Sequence, residues 1–123
     1  MKLASQEGFV PGTELGGKLD NLAAYGYDGI EFSGNGLEKR QDDIIKSTVN
    51  QPVEASTICA GYPGGLLGGD SGERKIVVMG IRTLLKVAAE LGTATLSMGP
   101  ILGAPRISDL SPYKTLNNLK LNV

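Results

Sequence analysis

The sequence contains no histidine and no tryptophan, and its single cysteine is Cys59. The lack of histidine removes the commonest general base and the commonest metal ligand from this chain. One cysteine cannot form a disulfide within the chain, a usage that fits a reducing cytosol. These absences narrow the chemistry that the 123 residues can perform.

Long apolar runs and an excess of either charge are also missing. No stretch approaches the ~20 apolar residues of a membrane-spanning helix, and the first residues, MKLASQEGFVPG, lack the apolar core of a signal peptide. Twelve basic and 13 acidic residues give a net charge of −1, with no basic patch interleaved with aromatics. We therefore expect a soluble, cytoplasmic domain that binds neither membranes nor nucleic acid.

Glycine, in contrast, is abundant. The 18 glycines are about twice the ordinary share of ~7%, and they cluster after predicted strands, at 34–36, 61–69 and 99–103. None of these loops has the glycine-lysine-serine/threonine of a phosphate-binding loop or the G-x-G-x-x-G of a dinucleotide fold. The glycines either bring backbone amides close to a phosphate or sugar, or they form flexible connections.

The chain is organised around a helix that stops at a glycine and is followed three residues later by a short strand. Leucines at helical spacing precede Gly26, and Ile30–Phe32 follows it. The same arrangement recurs 66 residues downstream, where Gly92 precedes Leu96–Met98. A sequence pattern that occurs twice in this way predicts repeated βα units.

The periodicity predicts one domain over residues 1–123, built from alternating strands and helices. The predicted strands are Met1–Ser5, Gly29–Phe32, Val53–Cys59 and Thr93–Met98, and the predicted helices are Glu14–Tyr25, Leu37–Asn50 and Ser71–Leu91, with a truncated or frayed fourth helix over 111–123. We expect Thr13 to cap the first helix, Asn35 and Glu38 to form a capping box, and Val49 to face inward.

Strict alternation predicts an α/β fold with a parallel sheet, and two architectures fit it. One is an open, doubly wound, flavodoxin-like sheet. The other is the N-terminal half of a TIM (β/α)8 barrel, since a complete barrel takes ~250 residues. The third predicted helix carries apolar residues on more than one stripe, which favours the barrel, where neighbouring helices would cover them.

Three segments, Lys18–Phe32, Val53–Gly61 and Leu84–Pro100, resemble the N-terminal half of the sugar phosphate isomerase/epimerase family. These are xylose-isomerase-like TIM barrels, related to inosose dehydratases, hydroxypyruvate isomerases and ketose 3-epimerases. The resemblance covers roughly Met1 to Thr115, and its most specific phrase is GYDGIEF at 26–32.

The resemblance implies a function for the whole protein that this chain would carry only in part. In the family, a divalent metal such as Mn²⁺, Mg²⁺ or Zn²⁺ is held by two Glu, an Asp and a His from strands five to eight, and the substrate is a sugar or sugar phosphate. None of those strands is present, so the chain is expected to supply pocket walls without a metal centre or catalytic residues. The alternative is a non-enzymatic flavodoxin-like module that binds a phosphorylated ligand through its glycine loops.

Four residues at the predicted carboxyl ends of strands are candidates for substrate binding: Glu31, Cys59, Ser97 and Gly99. Glu31 would contact a sugar or play a structural role in the full barrel. Cys59 has no histidine to activate it, so it is either a small buried residue or part of the pocket lining. Ser97 and Gly99 would line the same pocket.

The edges of a half barrel carry a further implication. The first and fourth strands would each leave one edge unpaired, and open edges pair with other chains. We therefore expect a homodimer or aggregation.

Overall fold

Strands and helices alternate along the chain in the predicted order. The computed structural model describes residues 1–59, 61–65, 71–93 and 95–98. The strands are β1 Ala4–Gln6, β2 Gly29–Ser33, β3 Glu54–Cys59 and β4 Leu96–Ser97, the helices are α1 Leu15–Ala24, α2 Gln41–Thr48 and α3 Ser71–Glu90, and two short 3-10 helices span Glu7–Phe9 and Leu37–Lys39. The predicted fourth helix lies outside the described residues.

The four strands form one parallel sheet in the order β1-β2-β3-β4. A flavodoxin-like sheet would place the first strand between the second and the third. Here β2 lies between β1 and β3, so the flavodoxin-like alternative is wrong. In a (β/α)8 barrel, strands that follow one another in the sequence are neighbours in the sheet, as they are here. The expected half barrel is therefore confirmed.

The hydrophobic core lies between one face of the sheet and the helices. Ile30, Phe32 and Ile58 on β2 and β3 are completely buried in it. They pack with buried residues of the helices and loops: Leu19, Leu22, Leu37, Ile44, Leu84 and Val87. Because side chains alternate along a strand, the intervening residues of β2 and β3 face away from the helices.

One extra residue interrupts the pairing of β3 with β2. Ile30 pairs with Ala55, but the next residue, Glu31, pairs with Thr57, so that Ser56 has no partner of its own. This is a β-bulge, which adds a residue to one strand and changes which face the following side chains occupy.

Side-chain hydrogen bonds hold the bulge. The Ser56 hydroxyl donates to the Ile30 carbonyl at 3.0 Å, and the buried Thr93 hydroxyl donates to the Ser56 carbonyl at 2.6 Å. Because of the extra residue, Ala55 and Ile58 both contact the core although they are an odd number of positions apart.

The helix starts differ from two predictions. Helix α1 begins with Glu14 as its N-cap and has no side-chain cap, so the predicted capping role of Thr13 is wrong. The predicted capping box of Asn35 and Glu38 is also wrong. Gly36, in the left-handed conformation with φ of 67°, precedes a 3-10 helix there, since the chain turns sharply before α2 begins.

Exposed apolar side chains lie on the outer helices. Val49 is 58% exposed because α2 ends one residue earlier, so its predicted inward position is wrong. On α3, Ile76 and Leu85 are 52% and 51% exposed. They lie about 180° apart around the helix axis at ~100° per residue, so α3 has uncovered apolar surface on two flanks, as its sequence predicts.

Within the described ranges, no helix combines the length and the apolarity that crossing a bilayer would require.

Candidate ligand-binding cleft

The face of the sheet opposite the helices carries polar side chains. Glu31 and Ser33 alternate with the buried residues of β2, and Cys59 lies at the end of β3. Ser33 pairs with Cys59 across the sheet, and Cys59 pairs in turn with Ser97 on β4. All four are at the carboxyl ends of parallel strands, the end at which barrel proteins bind their ligands.

A cleft of about 500 Å³ opens at this end of the sheet. Its volume falls within the ~300–1,000 Å³ of small-molecule sites. The described residues that line it are Gln6, Glu7, Gly8, Lys18, Glu31, Ser33, Cys59 and Gly61. The lining residues thus include carboxylate, ammonium, amide and hydroxyl side chains.

The Glu31 carboxylate is the free acceptor of the cleft. It is partly exposed, and in the part of the chain that the structure describes it has neither a hydrogen-bond partner nor an ion-pair partner. A carboxylate without an internal partner can accept hydrogen bonds from a ligand without losing others.

One wall of the cleft is fixed by an ion pair. Arg40, which precedes α2, donates two hydrogen bonds to the Glu7 carboxylate, at 3.0 and 2.7 Å. These hydrogen bonds lower the pKa of Glu7 below its ordinary 4.5, more than partial burial raises it, and the charges of Arg40 and Lys18 act in the same direction. The Glu7 side chain is only 16% exposed, so the loop after β1 is held firmly against α2.

The other side of that loop is held by Lys18, from the first turns of α1. Its ammonium group donates to the Glu7 carbonyl at 3.1 Å. Lys18 is half-buried and is also one of the residues that line the cleft.

The loops that follow β2 and β3 are in direct backbone contact. The Gly34 amide donates to the Cys59 carbonyl at 3.1 Å. Gly61 has φ of 89°, and a Cβ built on it would overlap the backbone of Gly34 and Asn35. Only glycine can occupy this position without moving one of the loops.

The structure brings together two of the four predicted site residues and places a third beside them. Glu31 and Cys59 both line the cleft. Ser97 is adjacent to Cys59 in the sheet and is exposed, but it is not among the described residues that line the cleft. Gly99 lies outside the described residues. Whether any of them binds substrate stays a prediction.

Sequence reasoning missed Glu7, Lys18 and the role of Gly61. Glu7 follows the first strand directly, so the rule that selected Glu31 would have selected it had the strand been extended by one residue. Lys18 lies in the first turns of a helix that follows a strand. The start of such a helix lies at the same end of the sheet as the carboxyl ends of the strands, where Glu31 was predicted. The contact of Gly61 with Gly34 depends on how the loops after β2 and β3 are positioned relative to each other. A local sequence pattern does not indicate this.

The described residues do not form a metal centre, which the family resemblance assigns to strands five to eight. No group of three or more His, Cys, Asp or Glu side chains could hold an ion among them, and the sequence has no histidine. The second carboxylate of the cleft, Glu7, is engaged by Arg40. The described residues thus offer a binding surface with one free carboxylate, Glu31.

No protein-family model and no curated protein matches the sequence. Solved structures do match. The apo form of 3-keto-D-glucoside 4-epimerase YcjR from E. coli superposes with a TM-score of 0.78 at 21% identity, covering 97% of this chain and 49% of that one.

Two further structures match over similar ranges. D-psicose 3-epimerase in the presence of D-fructose gives a TM-score of 0.72 at 15% identity, covering 96% of this chain and 44% of that one. The IolI protein with a bound zinc atom gives 0.70 at 15% identity, with 96% and 43% covered. The chain spans slightly less than half the length of these proteins.

The sequential parallel sheet and these superpositions define the fold class: the chain has the fold of the first half of a (β/α)8 barrel. More particularly, the structures that share this fold include the two sugar epimerases named above, each matched over slightly less than half of its length. The fold that the GYDGIEF resemblance predicted is confirmed.

Proposed function

We propose that the chain forms the N-terminal half of a sugar isomerase or epimerase barrel, and that its cleft is part of the sugar-binding site. The observation that carries this proposal is the position of Glu31 and Cys59. They come from adjacent strands and line one cleft at the carboxyl end of a half barrel, where barrel enzymes bind substrate. Two of the matching structures are those of sugar epimerases, which supports the same ligand class.

The cleft would hold a sugar through hydrogen bonds to its hydroxyl groups. The Glu31 carboxylate accepts them, the Gln6 amide both donates and accepts, and the Ser33 hydroxyl does either. Cys59 adds a small, weakly polar surface between them. A ligand that left the Glu31 carboxylate without a hydrogen-bond donor in a closed site would bind less tightly. Glu31 therefore favours hydroxyl-rich ligands over apolar ones.

The described residues would bind and orient a sugar without completing its chemistry. Moving a proton between neighbouring carbons takes an acid and a base with separated pKa values. Of the two cleft carboxylates, Glu7 is paired with Arg40, and Glu31 has no second carboxylate to work with. We propose that the chain alone is catalytically inactive and that the rest of the apparatus belongs to the second half of the barrel.

Titration with D-fructose, followed by amide NMR, tests the sugar site. We expect the amide resonances of Gly8, Ser33 and Gly61 to shift, since these residues line the cleft. Glu31→Gln should weaken binding about tenfold, because one charge-assisted hydrogen bond is worth ~1.5–3 kcal/mol. The matched control is Glu38→Gln, an exposed residue outside the cleft, which should leave binding unchanged. Absence of any saturable shift, or equal effects of both variants, would overturn the sugar site.

We also propose that the open edges of the sheet are closed by further strands. In the described sheet, β1 pairs only with β2, and β4 pairs only with β3. The apolar side chains on the two flanks of α3 would be covered by the neighbouring helices of the same closure. For the chain alone, the available partner is a second copy, so size-exclusion chromatography with light scattering should give a dimer or larger species. A monodisperse, cooperatively folding monomer would contradict this.

A further inference from the structure

Lys18 is positioned by a hydrogen bond at its ammonium group and by the closeness of Gly12 to its aliphatic stem. Among the described residues, its ammonium group donates one hydrogen bond, to the Glu7 carbonyl at 3.1 Å. Its aliphatic stem passes close to the backbone of Gly12, where an added Cβ would approach the Lys18 Cγ to 3.2 Å. Gly12 has φ of 125°, which favours glycine, so the chain leaves space there for the stem. The side chain is thus ordered before any ligand arrives.

An ammonium group has three N–H donors, and one is used by Glu7. Lys18 is half-buried and is one of the residues that line the same cleft as Glu31. Ordering a lysine normally costs side-chain entropy on binding, and the hydrogen bond to Glu7 lowers that cost here. The remaining donors are therefore suited to ligand oxygen atoms.

The charges of the cleft are balanced. Glu7 is neutralised by the two hydrogen bonds from Arg40, which leaves one cation, Lys18, and one anion, Glu31, among the described lining residues. A phosphate group would be attracted by Lys18 and repelled by Glu31. An uncharged polyhydroxy compound can accept from Lys18 and donate to Glu31 at the same time, because each hydroxyl does both.

We propose that Lys18 is a ligand-binding residue of the cleft, and that together with Glu31 it selects an uncharged sugar over its phosphorylated counterpart. The proposal rests on the sugar site proposed above. It adds Lys18, a residue of a helix, to the proposed sugar site, and it specifies that the ligand is uncharged.

Isothermal titration with two probes, D-fructose and D-fructose 6-phosphate, tests the proposal on the full chain. The wild-type protein should bind D-fructose more tightly. Lys18→Met keeps an unbranched stem of four heavy atoms and removes the charge and the donors, so it should weaken D-fructose binding about tenfold or more. The matched control is Lys46→Met, on the exposed surface of α2, which should stay within about twofold of wild type.

The outcomes separate this proposal from the sugar site itself. D-fructose binding that persists unchanged in Lys18→Met would overturn the role of Lys18 and leave the sugar site intact. Tighter binding of D-fructose 6-phosphate would overturn the selection against charge. Failure of both probes to bind the wild-type protein would overturn the sugar site and this proposal together.

A measurement on the wild-type side chain covers the case in which Lys18→Met does not fold. Incorporation of lysine labelled with ¹³C and ¹⁵N allows the side-chain Cε and Nζ signals of each lysine to be followed by NMR without changing its charge or its N–H donors. Addition of D-fructose should shift the signal of Lys18 and leave that of Lys46 in place. A Lys18 signal unaffected by saturating sugar would overturn the proposal.

Discussion

Arg40 and Glu7 join the loop after β1 to the beginning of α2 through two parallel hydrogen bonds of 3.0 and 2.7 Å. The two residues are 33 positions apart and belong to successive βα units. Because Glu7 also lines the cleft and accepts from Lys18 through its carbonyl, this ion pair fixes the wall on which the proposed ligand contacts depend.

Glu7→Gln should lower the free energy of unfolding by about 1 kcal/mol at neutral pH, since Arg40 is partly exposed and solvent screens the pair. The folded-state pKa of Glu7 lies below its ordinary 4.5, so the ion pair contributes fully above that value and is lost as the pH falls through the folded-state pKa. Urea unfolding at several pH values should show the wild-type advantage shrinking below about pH 4.5. A difference independent of pH would contradict this.

Gly61→Ala should destabilise the protein far more than Gly26→Ala. Both glycines have positive φ, of 89° and 77°, so each substitution carries a similar backbone strain of about 1–2 kcal/mol. Only at Gly61 does the added Cβ overlap the backbone of Gly34 and Asn35, whereas Gly26 has open space around it. Thermal unfolding of the two variants isolates the cost of the loop contact. Equal melting temperatures would show that the loops separate easily.

Thr93→Val should cost about 1–3 kcal/mol, because it removes the hydroxyl that donates to the Ser56 carbonyl while preserving the shape of the side chain. The control is Thr83→Val on α3, where the exposed hydroxyl donates only to the Met79 carbonyl of its own helix. Its effect should fall within about 0.5 kcal/mol. Chemical denaturation measures both, and a harmless Thr93→Val would mean that the bulge does not need this bond.

Cys59 offers a direct report on the cleft because it is the single cysteine of the chain and is partly exposed. Iodoacetamide should label the folded protein at one site, and saturating D-fructose should slow the reaction, since the sugar would cover the thiol. The same concentration of sugar should not affect labelling in urea. An unchanged rate in the folded protein would remove Cys59 from the proposed site.

The order of elements was predictable because its signals are local. Helical leucines, the glycine stops and the short apolar strands each depend on a few neighbouring residues, and alternation alone implies a parallel sheet. Positions that depend on exact helix ends were not. Val49 fits the apolar stripe of α2, but the helix ends at Thr48, and Val49 is 58% exposed.

The site was predictable only where it follows from strand ends. Glu31 and Cys59 were found by that rule and share the cleft. Glu7 was missed because β1 extends to Gln6, beyond the predicted strand end, and its ion pair with Arg40 joins distant parts of the chain. Contacts between separate loops depend on the three-dimensional arrangement and leave no periodic signal in the sequence.

Ser56, the additional residue of β3, has a consequence for the surface that a ligand would meet. Regular pairing of β3 with β2, with Ser56 kept but without the bulge, would turn Ile58 toward the ligand and Cys59 toward the helices. Such pairing would exchange a thiol for a branched hydrocarbon in the lining and insert sulfur among the packed aliphatic groups. The bulge at Ser56 therefore decides which of these two neighbouring residues faces the inside of the barrel.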